Sequence, residues 1–406
     1  MDKTKRERYP LLLSAVLWGM IVFMSVLFLV SGKREFSEGE NRYLARFPEL
    51  SLKSVKSGAF MSGLNEWLCD QFPFRDGFMT IRTEAERLSG VREINGVYLA
   101  ADGTLIDSYA VPKNTEKIIR QFSKLKAAAD GTDTGLRLML VPTAVSVRRN
   151  ALPGHSVSAM EAFQEDTIRR ISEETGIGTV PVRERLLDAE RSVGAGEDPF
   201  AGALPAEAAA ALSEPGRILY YGTDHHWTTL GAYTAYTAWC DSCGIVPTPL
   251  SDYEAEIVTE DFRGTTWSKL NDRGIAPDRI LLFRDPSAKL SVHYMDTGAV
   301  TDSLYGLERL SGKDKYSMFL DGLHPYIEVT NEGAESTGEL LLVKDSYANS
   351  MVPFLTRHFR KIHIIDTRYY KQGPGSILKS RPEITDALIL YNMNTIDTDL
   401  GIGGIF

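Results

Sequence analysis

The sequence has only three cysteines among its 406 residues, Cys69, Cys240 and Cys243. This odd, low count excludes a scaffold stapled by disulfides. Cys240 and Cys243 form a Cys-x-x-Cys pair, but they end a predicted helix just before Gly244, where the helix dipole disfavours a thiolate. We therefore expect buried thiols there, with a local disulfide as the alternative, and we do not expect redox catalysis.

The chain also lacks an excess of positive charge. Its 45 Lys and Arg residues face 54 Asp and Glu residues, for a net charge of −9, which is a poor balance for binding nucleic acid. It has no internal repeat and no low-complexity tract, and its ordinary composition excludes collagen, coiled-coil arrays and wholesale disorder. A mean hydropathy of −0.16 excludes a membrane protein with many spans.

One long apolar run is nevertheless present. Residues 11–30 carry no charge, and as a helix they would span about 30 Å, the thickness of a bilayer core. A signal peptide has an apolar region of about 7–15 residues and a small-residue cleavage site. This run is longer and its cleavage site is weak, so we predict an uncleaved anchor.

Charge then predicts the orientation. Residues 1–9 hold four basic and two acidic side chains, which favours a cytoplasmic N-terminus and places the rest of the chain outside the cell membrane. The predicted organisation is a cytoplasmic tail (1–9), a transmembrane anchor (10–31), a stem that packs on the main domain (32–88), and one large α/β domain (89–406).

Three apolar runs near the C-terminus, residues 340–343, 362–365 and 387–390, are separated by helical segments. Continuous apolar strands of this kind predict a mostly parallel sheet flanked by helices. Ligands bind such sheets at the carboxyl ends of the strands. This rule points to Lys344-Asp345-Ser346, to Asp366-Thr367-Arg368 and to Tyr391-Asn392.

The segment Thr223-Asp224-His225-His226-Trp227-Thr228 is the first chemical motif. A carboxylate two residues before a histidine, on a loop that enters a helix, can orient the imidazole and stabilise its protonated form. Thr228 or Thr229 can cap the helix that follows. The alternative is that these are ordinary surface or capping residues.

The second motif is Ser346, at the end of the apolar strand 340–343 and at the start of a predicted helix. Backbone N–H groups at such a turn can bind an oxyanion, and the Asp-x-His segment could supply the base that a serine nucleophile needs. The alternative is that Asp345 and Ser346 only cap the helix.

A metal centre of Asp224, His225, His226 and Asp345 competes with these interpretations, because these side chains are metal ligands. Adjacent side chains face different directions in regular backbone, and the sequence has no His-x-x-x-His helix. We therefore expect no metal and no other cofactor.

The hexapeptide 223–228 resembles the signature of the DHHW protein family of bacterial envelopes. That family is similar to the SGNH-hydrolase-like proteins of alginate O-acetylation, which carry an Asp-x-His-Trp motif and, later in the chain, a Gly-Asp-Ser-type serine. The resemblance covers roughly residues 36–394. Residues 72–76, residues 97–103 and the segment 344–349 also fit it.

The resemblance implies an SGNH-hydrolase-like fold and a catalytic triad, with Ser346 as nucleophile, His226 as general base and Asp224 as orienting carboxylate. Lys344 stands where the alginate proteins usually have glycine. Further candidates for substrate binding or oxyanion stabilisation are His225, Trp227, Lys344, Asn349, Arg368 and Asn392.

The implied function is a membrane-anchored extracytoplasmic O-acetyltransferase that acts on a cell-surface polysaccharide. A membrane-bound O-acyltransferase would supply the acyl group, because acetyl-CoA is cytoplasmic. Two alternatives stay open, a carbohydrate esterase with the same triad and a non-catalytic envelope scaffold or glycan-binding protein.

Overall fold

The structure is a computed structural model that describes residues 3–37, 39–40, 42–109, 113–154, 156, 160–200, 202–205, 208–209, 213–398 and 401. The chain divides into two compact units. Unit 1 comprises residues 1–91 and the short segment 268–273, and unit 2 comprises residues 92–267 and 274–406.

Unit 1 is mainly helical. Its elements are α1 (Lys3–Val30), β1 (Phe36–Ser37), β2 (Arg42–Tyr43), α2 (Leu52–Lys56), α3 (Ala59–Asp70) and α4 (Arg75–Leu88). The part of α1 from Pro10 to Val30 is apolar and is not buried inside the molecule. This helix is therefore long and apolar enough to cross a membrane.

The segment 268–273 belongs to unit 1 because it is bonded to α4. Thr83 donates a hydrogen bond to the carbonyl of Leu270 (2.9 Å), and Thr80 donates one to the carbonyl of Asn271 (3.1 Å). The amide of Asn271 donates to the carbonyl of Asp76 (3.4 Å). Leu270 is fully buried, so a distant part of the sequence completes this helical unit.

Unit 2 is α/β. The elements after residue 91 are β3 (Glu93–Ile94), β4 (Val97–Leu99), β5 (Leu105–Asp107), α5 (Thr115–Ala129), β6 (Gly135–Val141), α6 (Ala144–Val147), α7 (Met160–Thr175), β7 (Gly178–Thr179), α8 (Val182–Gly194), α9 (Thr229–Cys243), β8 (Glu254–Phe262), α10 (Thr265–Ser268), β9 (Asp278–Arg284), β10 (Leu290–Tyr294), β11 (Val300–Thr301), β12 (Tyr326–Asn331), β13 (Glu339–Lys344), α11 (Val352–Leu355), β14 (Lys361–Ile365), α12 (Pro374–Ser380), β15 (Ile384–Asn392) and α13 (Thr395–Thr398).

The main sheet has eight strands in the order β11-β10-β12-β14-β13-β15-β6-β7. The strands from β14 to β7 are parallel, whereas β12, β10 and β11 continue the sheet antiparallel. The three apolar runs of the sequence are in β13, β14 and β15, and β13 lies between the other two. The prediction of a mostly parallel sheet flanked by helices is confirmed.

The side chains of β13 alternate between the two faces of the sheet, and each face is covered by helices. Leu340 and Leu342 belong to the core that α8, α9 and α11 cover, and Leu341 and Val343 belong to the core of α5, α7 and α12. Successive side chains of a strand point to opposite faces. A strand buried on both faces therefore reads as an unbroken apolar run.

Helix α9 has a defined start and end. The hydroxyl of Thr228 accepts a hydrogen bond from the backbone N–H of Gly231, and the helix ends at Gly244, whose φ of 68° is left-handed and suits glycine. Cys240 and Cys243, near this end, are free thiols, as is Cys69, so the local disulfide considered for the pair is not formed. Burial raises the pKa of Cys240 to about 12.

Candidate active site

Two segments meet at the carboxyl end of strand β13. One is the loop 223–228 that leads into α9, and the other is a 3-10 turn, Ser346–Ser350, that follows β13. Asp345 caps this turn, because its Oδ1 accepts a hydrogen bond from the backbone N–H of Tyr347 (2.9 Å). Ser346 is thus the first residue of a short turn at the edge of the sheet.

A continuous hydrogen-bonded chain joins Ser346, His226 and Asp224. The Oγ of Ser346 lies 2.8 Å from Nε2 of His226, and Nδ1 of His226 lies 2.5 Å from Oδ1 of Asp224. These distances are those of a nucleophile, a base and an orienting carboxylate. The structure therefore brings together the three residues predicted as a triad, although Ser346 is 120 residues from His226 in the sequence.

Asp224 is buried and held on both oxygens. Its Oδ2 accepts hydrogen bonds from the backbone N–H (2.7 Å) and the hydroxyl (3.0 Å) of Thr265, and its Oδ1 also accepts from the backbone N–H of His226 (3.1 Å). Burial opposes its ionisation, but the two histidines and these hydrogen bonds outweigh burial and hold the pKa of Asp224 well below its usual range. The carboxylate is charged and fixed in direction.

The imidazole of His226 lies between two other rings. The ring of Tyr316 stacks on it at 3.8 Å and 10°, and the ring of His225 lies 3.8 Å away at 37°. Burial lowers the pKa of His226 to about 4, His225 acts in the same direction, and Asp224 opposes both. The imidazole is therefore neutral near pH 7, with Nε2 available to take a proton from Ser346.

His225 departs from the expectation that adjacent histidines face different directions. Its ring lies beside that of His226, and its Nδ1 is 2.6 Å from the hydroxyl of Thr265. The possible metal-binding atoms of Asp224, His225 and His226 lie within 4.8 Å of one another. Both nitrogens of His226 already contact Asp224 and Ser346, an arrangement that suits proton transfer.

Trp227 is a predicted candidate for substrate binding or oxyanion stabilisation, but its contacts in the structure suit neither role. Its ring is fully buried, and its Nε1 donates to the carbonyl of Tyr347 (2.8 Å) and to the hydroxyl of Ser350 (3.0 Å). A buried side chain without exposed surface cannot contact a polysaccharide. Trp227 instead ties the loop 223–228 to the turn that carries Ser346.

Lys344 is also buried, which does not suit its predicted role in substrate binding or oxyanion stabilisation. Its Nζ lies 3.8 Å from the carboxylate of Asp366, which is fully buried as well. Burial lowers the pKa of Lys344, and Asp366 opposes that effect. Arg368 binds the same carboxylate through Nε (2.9 Å) and Nη2 (2.5 Å), and it keeps part of its side chain exposed.

The two predicted asparagines differ. Asn392 donates to Asp345 from its backbone N–H and from its side chain (both 2.7 Å), and its Oδ1 accepts from two backbone N–H groups of the next turn. Its amide is thus occupied in the structure and does not suit the predicted oxyanion role. Asn349 is buried, and its Oδ1 has no hydrogen-bond partner among the described residues.

Several residues of the site gave no signal in the sequence. Tyr316 donates to the carbonyl of Ser346 (3.1 Å), Tyr347 donates to the carbonyl of His225, and Thr265 holds Asp224. Thr265 begins the short helix α10 and Tyr316 lies in a 3-10 turn, Lys315–Met318, and neither segment belongs to the two motifs. Tyr347, directly after Ser346, was the only one of the three next to a motif. The structure shows that it is buried, and a buried tyrosine hydroxyl usually finds a hydrogen-bond partner.

Two solved structures share this fold, and a third is a more distant match. A DHHW family protein from Eubacterium siraeum has 22% sequence identity over 76% of this chain and 95% of its own, with a TM-score of 0.58. Bacillus cereus PatB1 with a sulfonyl adduct has 18% identity over 74% of this chain and 95% of its own, with a TM-score of 0.56. The O-acetyltransferase domain of Pseudomonas putida AlgJ has 12% identity over 74% and 92%, with a TM-score of 0.44.

A comparison with curated proteins gives no match. The family model described as DHHW protein matches residues 40–116 and 211–365. These ranges contain the hexapeptide 223–228 and Ser346, and they cover more than half of the sequence. The chain therefore belongs to the DHHW protein family.

Proposed function

We propose that this protein is a membrane-anchored, extracytoplasmic O-acetyltransferase that modifies a cell-surface polysaccharide through an acyl-enzyme on Ser346. The observation that carries the proposal is the hydrogen-bonded chain from Ser346 through His226 to Asp224. The acetyl group and the polysaccharide acceptor come from the resemblance of its motifs to those of the alginate O-acetylation proteins.

In the first half-reaction, the Oγ of Ser346 attacks the acyl carbonyl while Nε2 of His226 takes the hydroxyl proton. The tetrahedral intermediate collapses, the bond to the leaving group breaks, and His226 returns the proton to that group. Asp224 stabilises the imidazolium through Nδ1. Because the buried imidazole starts neutral, it can accept the proton at physiological pH.

In the second half-reaction, a sugar hydroxyl attacks the acyl-serine and gives its proton to His226. The ester bond to Ser346 breaks, and the serine oxygen takes the proton back. Water in place of the sugar would make the protein an esterase, since the acyl-enzyme is common to both reactions. The acceptor thus decides between transfer and hydrolysis.

Asn349 is our candidate donor for the oxyanion. In a 3-10 helix the side chains at i and i+3 eclipse each other, so Asn349 lies on the same side of the turn as Ser346. The Oδ1 of Asn349 is an acceptor without a partner among the described residues, so the oxyanion role belongs to its Nδ2, which can donate. Amide donors of this kind stabilise negative charge on a reacting carbonyl.

The cellular arrangement follows from α1. Residues 10–30 would anchor the protein, the basic residues before them would keep the N-terminus in the cytoplasm, and unit 2 would face the cell surface. A membrane-bound O-acyltransferase would deliver the acetyl group across the membrane to Ser346.

The test uses the purified full chain with a chromogenic acetyl ester, with and without an oligosaccharide acceptor. We expect transfer to exceed hydrolysis at saturating acceptor, and Ser346→Ala to abolish both. Ser311→Ala, at an exposed position, is the matched control. More hydrolysis than transfer would favour the esterase, and unchanged polysaccharide acetylation in cells carrying Ser346→Ala would overturn the catalytic proposal.

A further inference from the structure

Large apolar side chains are exposed along unit 1 well beyond the span of α1. Leu68, Phe72, Phe74, Phe78 and Ile81 lie at the end of α3, in the bend after it, and on α4, and all are at least 41% exposed. In unit 2 the large exposed apolar side chains are isolated along the described chain. Contiguous exposed apolar surface marks a binding site for a protein or a membrane.

This apolar region includes a groove between α1 and α3. The groove has a volume of about 600 Å³. Met20, Met24 and Phe28 form one wall, and they share one face of α1 because they are spaced four residues apart. Leu68 and Phe72 form the other wall.

The groove lies beside the segment that is long enough to cross a bilayer. The rings of Phe28 and Trp67 meet edge to face at 5.5 Å, which fixes α3 against the end of α1. Met20 precedes Val30 by ten residues, or about 15 Å along the helix, which is half of a hydrocarbon core of about 30 Å. If α1 crosses a membrane, the groove faces the acyl chains of the outer leaflet.

Basic side chains lie above the groove. The ammonium of Lys33 is 3.7 Å from the centre of the Phe28 ring. Lys33 and Arg46 line a neighbouring cleft that also contacts Trp67. The cleft also holds Arg34 and one acidic residue, Glu35, so its lining is basic on balance. Basic groups at the membrane surface attract the phosphates of anionic lipids, and here they follow the end of α1, next to the apolar groove.

We propose that the groove between α1 and α3 binds a bilayer phospholipid, with an acyl chain between Met24 and Leu68 and the phosphate at Lys33 and Arg46. The bend between α3 and α4 then lies in the outer leaflet. This inference rests on the membrane anchoring proposed above and not on the chemistry of Ser346. Lipid binding in the groove requires only one copy of this chain and a lipid bilayer, with no partner protein.

Cys69 provides a direct test of depth. It is exposed and lies in an apolar cleft with Leu68 and Phe72. We would attach a nitroxide to the full chain, place the chain in phosphatidylcholine–phosphatidylglycerol nanodiscs, and measure its accessibility to oxygen and to a water-soluble nickel chelate. The Cys69→Ser variant corrects for label on the other cysteines.

We expect the label at Cys69 to be more accessible to oxygen than to the nickel chelate. A second label, Val26→Cys in the Cys69→Ser chain, reports whether α1 is in the bilayer. If the label at Val26 is accessible to oxygen and the label at Cys69 is accessible to the nickel chelate, the lipid site is overturned but the anchoring is not. The same holds if a covering protein surface excludes both reagents from Cys69. Nickel access at both positions would overturn the anchoring as well.

Occupancy of the groove is tested by native mass spectrometry of the full chain with added phosphatidylglycerol. Met24→Trp fills the groove, whereas Val22→Trp, on another side of α1, is the matched control. Loss of contact with about two methylene groups corresponds to about tenfold weaker binding. We expect this loss for Met24→Trp and not for Val22→Trp, and equal retention by both variants would overturn the proposal.

The contact between the lipid phosphate and the basic residues is tested by the preference of the protein for anionic lipid. Lys33→Gln with Arg46→Gln should reduce the preference for phosphatidylglycerol over phosphatidylcholine, while Lys53→Gln with Lys56→Gln, on α2, should not. An unchanged preference in the first pair would overturn the phosphate site.

Discussion

At the scale of single residues, the environment of His226 sets the chemistry. Asp224 attracts a proton to the imidazole, but burial and the neighbouring His225 disfavour the charged form more strongly, so the pKa of His226 falls to about 4. A general base must be unprotonated to act. The ring contacts with Tyr316 and His225 therefore affect reactivity as well as position.

The pH dependence follows from this pKa. Below about pH 4 a proton occupies Nε2 of His226 and blocks transfer from Ser346, whereas above it the imidazole is neutral. We expect kcat/KM for an acetyl ester to stay constant from pH 7 down to about pH 5 and to fall tenfold per unit well below pH 4. Stopped assays of the wild-type chain across this range are the measurement.

His225 gives this prediction a control. His225→Gln removes a group that disfavours positive charge on His226, so the acid limb of the profile should move to higher pH. His293→Gln, on strand β10, should leave the profile in place. An acid limb at the same pH in the His225 variant would show that His225 does not influence His226.

Asn349 is the second residue whose role can be measured. Removal of one oxyanion donor typically lowers kcat by about 10²- to 10³-fold. We expect Asn349→Ala to lower the acylation rate in this range with little change in KM, because the donor acts on charge that develops in the transition state. A change in KM alone would assign Asn349 to ground-state binding.

At the scale of elements, the site depends on the attachment of the turn 346–350 to the start of α9. Trp227→Phe keeps a buried ring but removes the N–H that binds Tyr347 and Ser350. The Tyr347 carbonyl and the Ser350 hydroxyl keep only their longer side-chain contacts, from Ser350 (3.5 Å) and Tyr316 (3.3 Å). Loss of the two shorter hydrogen bonds should cost about 1–3 kcal/mol of unfolding free energy, and the freed turn should slow acylation. Denaturant unfolding and single-turnover assays give the two quantities.

Trp239→Phe is the matched variant, since Trp239 is an equally buried ring in α9, the helix that follows the loop of Trp227. It should lose stability through packing without the additional loss in acylation rate. If both variants slowed acylation equally, general loosening of α9 would account for the effect of Trp227.

The central strands and the proximity of Ser346, His226 and Asp224 could be predicted from the sequence because each has a local signal. Runs such as 340–343 mark buried parallel strands, and the hexapeptide 223–228 marks the loop. The side-chain partners could not be predicted in this way. Lys344 ends strand β13, but Asp366, which lies 3.8 Å from it, follows the neighbouring strand β14, and no local pattern joins the two residues.

The asparagines show the same limit. Asn392 and Asn349 both follow strands at the expected edge of the sheet. Only the structure shows that Asp345 and the next turn use all the hydrogen bonds of the Asn392 amide, whereas the Oδ1 of Asn349 has no partner in the described part of the chain. The position of an asparagine along the chain identifies it as a candidate oxyanion donor. The hydrogen bonds in the structure then show which candidate is already occupied.

At the scale of the whole molecule, a boundary near residue 91 does not divide the protein cleanly. The segment 268–273 belongs to unit 1, where Leu270 is fully buried and its carbonyl accepts from Thr83. A chain truncated to residues 92–406 therefore exposes Leu270 and leaves Asn271 without the carbonyl of Asp76. The sequence gives no sign of this, because the contact joins positions 187 residues apart.

This segment predicts a context-dependent mutation. In the chain 32–406, Leu270→Ser should lower the unfolding free energy by about 2–4 kcal/mol, since it empties a buried leucine site and places a hydroxyl there. In the chain 92–406 the same change should cost little, because the leucine is already in water, and it should improve solubility. Thermal unfolding of the four chains measures the difference. An equal cost in both backgrounds would mean that residues 92–406 bury Leu270 by themselves, and the segment 268–273 would then belong to the α/β unit.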